Sequence, residues 1–165
     1  MTETPTSASA ATPSEFAVGH EFPAFERESG FAHWNRYAAV NDEFIGIHMD
    51  DDEGRAAGYP AAFGMGNLTW AYFHIALHRW LGDDCRIVSL STQFRGAVVR
   101  GTRVMVRGTV TGTRTEGAEE LVEVTLRAED ADGRTLAPAA AVVAVPTGDA
   151  STGRETPDGT AAGHA

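Results

Sequence analysis

The sequence predicts an α+β fold, a single domain in which a curved antiparallel sheet wraps around a central apolar helix. Three observations carry that expectation. Apolar residues in the first half of the chain recur at intervals of three and four, the pattern of helices with one buried face. After Gly82 the period changes to two over four successive runs, the pattern of strands. Between these halves, residues 66–81 are apolar on nearly every side, so other structure is expected to enclose them.

Both ends of the chain are expected to be disordered tails. Met1–Ser14 is rich in Thr, Ala, Ser and Pro, and Thr147–Ala165 contains no Leu, Ile, Val, Phe, Tyr or Trp to offset the entropy of ordering it. The folded domain is therefore expected over Glu15–Pro146. Its first helix is predicted from about Gly30 to Asn41, where Phe31, Trp34, Tyr37 and Ala38 share a face. A short acidic helix over Asp50–Ala57 is closed by Gly58 and Pro60. The apolar helix runs from about Gly66 to Leu81, and Gly82 is its stop.

Strands are predicted at Arg86–Val98, Thr102–Thr113, Glu120–Glu129 and Thr135–Val145. Val122, Val124, Leu126 and Ala128 alternate with Glu123, Thr125, Arg127 and Glu129, so the third run has one buried and one wet face. Turn signals stand between the runs at Arg100-Gly101, Glu116-Gly117 and Asp132-Gly133. A sheet of this kind leaves an edge and one end of the helix uncovered, and a second copy is expected to cover them in a dimer.

The 165 residues carry a formal charge of −10, so duplex DNA and anionic membranes would repel the chain. Cys85 is the single cysteine, which excludes an internal disulfide and any multi-cysteine metal site. No run approaches the roughly 20 apolar residues of a membrane span, and Met1–Ser14 has neither the basic start nor the apolar core of a signal peptide. A soluble cytoplasmic protein is expected.

Asn41, Asp42, Glu43, His48 and Asp50–Glu53 form the densest polar cluster. The carboxylates of residues 50–53 suit the first turn of a helix, where the dipole favours them. Asp42 and His48 differ because apolar residues flank them, Tyr37–Val40 on one side and Phe44–Ile47 on the other. Brought together, an Asp and a His can share a water and move protons near neutral pH. The glycines of Phe63-Gly64-Met65-Gly66-Asn67 either allow a loop to pack closely or leave a backbone N–H at the helix start free for a carbonyl oxygen that gains charge. Their spacing matches neither a P-loop nor a dinucleotide fingerprint. His74 and His78 share a helical face without the glutamate of a zinc-protease helix, so ordinary core or interface histidines and no metal are expected. Cys85 has no evident basic partner. Residues 86–114 hold six arginines and one acid-free stretch as far as Arg114, either a solvated sheet face or a local field for the phosphates of coenzyme A or a carrier-protein arm.

Three segments together resemble a known family: Tyr37–Asp50, Arg55–Pro60 with Phe63-Gly64-Met65, and Ser89–Arg95. Over about residues 20–146 the chain resembles the MaoC-like hydratase/dehydratase branch of the hotdog fold, which includes the (R)-specific enoyl-CoA hydratases. The resemblance implies that Asp42 and His48 are the catalytic pair and that the Gly64 N–H contacts the thioester carbonyl. It implies reversible addition of water to a trans-2-enoyl thioester, giving a 3-hydroxyacyl thioester. The acyl chain is expected near Trp70 or Phe73, with Gly66, Asn67 and Arg95 also binding substrate. No metal or redox cofactor is implied, and the substrate is a coenzyme A or carrier-protein thioester. The assembly is a homodimer or a heterodimer with another hotdog chain. The sequence departs from the family pattern in three places: the Asp-to-His separation is one residue longer, Ile45-Gly46 replaces Asn-Pro, and Phe63 stands where His is common. Two alternatives stay open, a non-catalytic or co-catalytic hotdog subunit of a heteromeric dehydratase and an acyl thioesterase.

Overall fold

The computed structural model describes residues 13–147. Apart from Pro13, Ser14 and Thr147, the expected tails lie outside the described residues. A short 3-10 turn at Pro13–Phe16 leads into strand β1 (Glu21–Glu28), then helices α1 (Phe31–Asn41), α2 (Gly46–Met49), α3 (Asp51–Ala56) and α4 (Gly66–Leu81). Four strands follow: β2 (Arg86–Thr92), β3 (Arg103–Glu116), β4 (Glu119–Glu129) and β5 (Thr135–Pro146). The first, acidic and apolar helices and the last three strands fall close to their predicted bounds.

All five strands form one antiparallel sheet in the order β1-β3-β4-β5-β2. The hairpin signals at Glu116-Gly117 and Asp132-Gly133 join β3 to β4 and β4 to β5, with Val110 opposite Val124 and Val122 opposite Val143. The Arg100-Gly101 signal makes a turn in which the Thr102 N–H donates to Val99 O at 3.1 Å, but it does not join neighbouring strands. Strand β2 pairs with β5 instead, and residues 93–102 carry the chain across the end of the sheet to β3. The strand expected to reach Val98 therefore stops at Thr92. Beyond it, the N–H groups of Arg95 and Gly96 both donate to Leu136 O, at 2.8 and 3.0 Å.

Strand β1 was not apparent in the sequence. Phe22 and Phe25 are three residues apart, yet both are buried, because a bulge between them shifts the register against β3. Pro23 is tolerated there because β1 is an edge strand and pairs only with β3.

One face of the sheet packs on α4. Phe73, Leu77 and Trp80 from the helix meet Phe22 and Phe25 of β1, Val104 and Val106 of β3 and Leu126 of β4 in a single core. The Phe22 and Trp80 rings stack at 4.7 Å between centroids, and Phe25 lies 5.4 Å from Tyr72. Burial of each large side chain contributes about 1.5–3 kcal/mol, which holds the sheet on the helix without a disulfide. The helix is not enclosed on every side, since Trp70 is 41% and Ile75 36% exposed. Among the described residues no helix is long and apolar enough to cross a membrane.

Candidate active site

The polar cluster read from the sequence lies at the top of α4, on the helices α1–α3 and the loop that joins α3 to α4. Helix α1 ends at Asp42, whose N–H donates to Ala38 O and whose backbone is left-handed, with φ 52 and ψ 41. Among the described residues it is the only one other than glycine with positive φ. Aspartate tolerates this region better than most residues, but glycine would fill it without a Cβ penalty. Its side chain is solvent-exposed.

Four residues later α2 begins, and it buries His48, which is 7% exposed. His48 Nδ1 lies 2.7 Å from the carbonyl oxygen of Phe63. A carbonyl only accepts, so Nδ1 carries the proton and, in the neutral ring, Nε2 keeps the lone pair of a base. The Phe63 ring meets the imidazole edge to face at 5.1 Å. The Phe63 N–H donates to Ile47 O at 3.3 Å, so one residue grips α2 through both backbone groups. Helices α1 and α2 are in contact, and no direct hydrogen bond joins the Asp42 and His48 side chains among the described residues.

The acidic helix has a structural role. Asp50 is its N-cap, with Oδ1 accepting from the N–H groups of Asp52 and Glu53 at 2.7 and 3.1 Å. Asp51 ties three segments together: Oδ1 accepts from the Ala62 N–H at 3.2 Å and Oδ2 from Arg100 at 2.8 Å. The Arg100 guanidinium also covers the Phe31 ring at 5.1 Å. These contacts set the height of the loop that presents the Phe63 carbonyl to His48.

Gly64 stands where the loop crosses α1. A Cβ built on it would lie 2.8 Å from Trp34 Nε1, and that indole N–H donates to Ser29 Oγ at 2.9 Å, so only glycine fits. The Gly64 N–H, expected to be the free donor for a substrate carbonyl, donates instead to Val98 O at 2.8 Å, beside a β-bridge between Phe63 and Val99. The crossing of residues 93–102 brings that carbonyl in, and it could not be foreseen from the loop alone.

Beside the start of α4 is a cavity of about 330 Å³, walled by Tyr59, Phe63, Gly66, Thr69, Phe94 and Arg95 among others. Its volume is at the lower end of the range for small-molecule sites. Gly66 and Arg95 were expected at such a site. Asn67 is exposed and does not line the cavity. Trp70 and Phe73, expected beside the acyl chain, do not line it either: Trp70 packs on His74 at 5.6 Å facing solvent, and Phe73 is completely buried in the core. Thr69, Phe94 and Tyr59 line it instead. The signals for them in the sequence were a polar residue interrupting the apolar helix and two aromatics in segments read as punctuation and strand.

The arginine-bearing stretch is mostly neutralised. Arg86 pairs with Glu119, Arg100 with Asp51, Arg103 with Glu26, Arg107 with Glu129, and Arg114 with Glu116 and Glu123. Glu116 lies on β3 just beyond the acid-free stretch, and the other carboxylates come from neighbouring strands and α3. Arg95 is the exception: its side-chain partner is Gln93, and it lines the cavity. Cys85 is buried, with Sγ 3.4 Å from His78 Nδ1, and burial together with Asp83 pushes its thiol above the usual range. Burial and the neighbouring His78 hold His74 below the usual histidine range. Among the described residues no group of three His, Cys, Asp or Glu side chains is placed to hold a metal ion.

No protein-family model and no curated protein sequence matches the chain. Solved structures do. Over 79% of its length the chain is similar to the (R)-hydratase from A. caviae involved in PHA biosynthesis, covering 97% of that protein at 23% identity and a TM-score of 0.72. Over 81% it is similar to R-hydratase PhaJ1 from Pseudomonas aeruginosa, covering 84% of that protein at 17% identity and a TM-score of 0.73. A chain of the ChsH1-ChsH2 complex from Mycobacterium tuberculosis is covered to 98% by 78% of this one, at 18% identity and a TM-score of 0.70. The chain has the hotdog fold. The antiparallel sheet and the helix expected at its centre are the shared framework.

Proposed function

We propose that the protein is an acyl-thioester hydratase/dehydratase that adds water reversibly to a trans-2-enoyl thioester to give the 3-hydroxyacyl thioester. The observation that carries this reading is the buried His48, whose Nδ1–H is fixed on the Phe63 carbonyl so that Nε2 is the basic nitrogen, a few residues beyond Asp42 on its left-handed helix end. The motif resemblance from Tyr37 to Asp50 and the hydratase names of two solved structures of the same fold support it.

In this mechanism His48 Nε2 and the Asp42 carboxylate bind one water between them. The water oxygen bonds to the β-carbon of the enoyl group as one of its protons passes to the pair, and the α-carbon takes a proton back. The pair therefore ends the cycle as it began, and dehydration reverses each step. Only proton transfer and charge stabilisation are asked of the protein, so the substrate brings no separate cofactor. The apolar cavity beside α4 holds the acyl group, and Arg95 is available to an anionic group of a coenzyme A or carrier-protein arm.

A dimer completes this reading. Trp70 and Ile75 on α4 and Val88 on the edge strand β2 are exposed apolar side chains of the kind a second hotdog chain would cover. The solved ChsH1-ChsH2 complex favours a second reading, in which this chain is one subunit of a heteromer. A location in the cytoplasm accords with the chain's single cysteine, the buried Cys85.

The test is to give the purified chain, alone, a crotonyl thioester while following enoyl absorbance and free thiol together. Loss of absorbance without thiol release is expected. Thiol release points to a thioesterase, and no change by either signal until a second hotdog chain is added supports the heteromer.

A further inference from the structure

The start of α4 holds two donors without partners. The first-turn N–H of Gly66 has no acceptor among the described residues, the usual condition of a helix N-terminus. The second donor is less ordinary. Thr69, one turn further on, is only 4% exposed, yet its hydroxyl makes no hydrogen bond among the described residues. Its backbone N–H bonds Met65 O, but the side chain does not take the back-bond to that carbonyl which helical threonines commonly make. Among the described residues the completely buried side-chain polar atoms without a partner are His20 Nε2, Tyr72 OH and Trp80 Nε1, so the Thr69 hydroxyl keeps open surface, and it is free at the cavity its residue lines.

Both groups line the cavity beside the loop. Residues three apart share a helical face, and side chains on a helix lean toward its N-terminus, so the Thr69 hydroxyl leans over Gly66. Glycine leaves that space open, and a Cβ there would stand 2.9 Å from the Phe94 ring that roofs the cavity. The helix dipole adds its positive end at the same point. The Gly64 N–H, meanwhile, is held by Val98.

We infer that the Thr69 hydroxyl and the Gly66 N–H together bind the thioester carbonyl oxygen of the substrate. This deepens the hydration reading and rests on it. When water adds to the β-carbon, electrons move from the double bond onto that oxygen, and the Thr69 O–H bond to it strengthens. The hydroxyl keeps its proton throughout. Thr69 is then a catalytic residue, and the donor expected at Gly64 has moved one turn into the helix.

The experiment compares Thr69→Val, which keeps shape and removes the donor, with Thr69→Ser, which keeps the donor. Hydration of a crotonyl thioester is expected to fall about 10²–10³-fold in kcat for Thr69→Val, and Thr69→Ser is expected to retain most of it. A second readout needs no turnover: the infrared carbonyl stretch of butyryl-coenzyme A, a saturated thioester, on binding. In the wild type and Thr69→Ser the stretch is expected to move to lower wavenumber, and in Thr69→Val that movement is lost. Full kcat in Thr69→Val, an unshifted carbonyl in the wild type, or equal shifts in Val and wild type each overturn the inference. A shifted carbonyl that Thr69→Val abolishes, in a protein that hydrates nothing, upholds the donors and overturns only the hydration reading.

Discussion

His48→Ala is expected to lower hydration of a crotonyl thioester by about 10²–10⁴-fold, the usual contribution of one positioned acid or base. The imidazole is tied by Nδ1 to the Phe63 carbonyl at 2.7 Å, so in the neutral ring its other nitrogen carries the lone pair. Truncation removes that base and leaves the Phe63 carbonyl without its partner, costing about 1–3 kcal/mol of stability. The protein should remain folded, because the Phe63 N–H still bonds Ile47 O and the Phe63–Val99 bridge is untouched. Asp42→Asn is expected to lose turnover on the same scale with no stability change of note. Asp42→Gly sharpens the point: glycine takes the left-handed conformation at φ 52 without a Cβ clash, so this variant should fold no less stably and still be inactive. Turnover and thermal unfolding measured side by side check both halves. Turnover within a few-fold of wild type in either His48→Ala or Asp42→Asn removes the pair from the mechanism.

Trp34→Ala is expected to be the most damaging single change to stability, at about 3–5 kcal/mol. The indole is completely buried, meets Phe31 edge to face at 5.3 Å and donates to Ser29 Oγ at 2.9 Å. It also backs the loop, since the Gly64 backbone rests against its nitrogen. Removing it opens a void between α1 and the segment that holds His48, so stability and turnover should fall together. Urea unfolding followed by tryptophan fluorescence measures this, with the midpoint falling at unchanged slope. A loss under about 1 kcal/mol, the size of an average substitution, would mean that Trp34 does not anchor the loop.

The parts of this fold legible in the sequence are those whose physics is local. The period of apolar residues marked α1 and α4, Gly82 marked the end of α4, and alternation marked β3, β4 and β5. Strand β1 escaped because its bulge places Phe22 and Phe25 on one face at a spacing that is neither two nor four. The pairing of β2 with β5, and so the crossing of residues 93–102, depends on contacts between distant parts of the chain. That crossing decides two features of the site: the engagement of the Gly64 N–H and the Phe94 roof over Gly66. Asp42 and His48 stood out because each is a titratable residue in an apolar run. The Phe63 clamp on His48 did not, because it uses backbone groups, which every residue has. Thr69 was visible only as a polar interruption of an apolar helix, and its meaning depends on a hydroxyl left without a partner in three dimensions.

The central claim is that Asp42 and His48 deliver water to the β-carbon of an enoyl thioester and leave the thioester bond intact. The most direct measurement runs the reaction on a crotonyl thioester in water enriched in the heavy oxygen isotope and locates the label by mass spectrometry. The expected product is an intact 3-hydroxybutyryl thioester with the heavy oxygen on its β-carbon, absent from the reaction of His48→Ala. Label in the carboxylate of a released free acid, or a labelled hydroxyl formed equally well by His48→Ala, would contradict it.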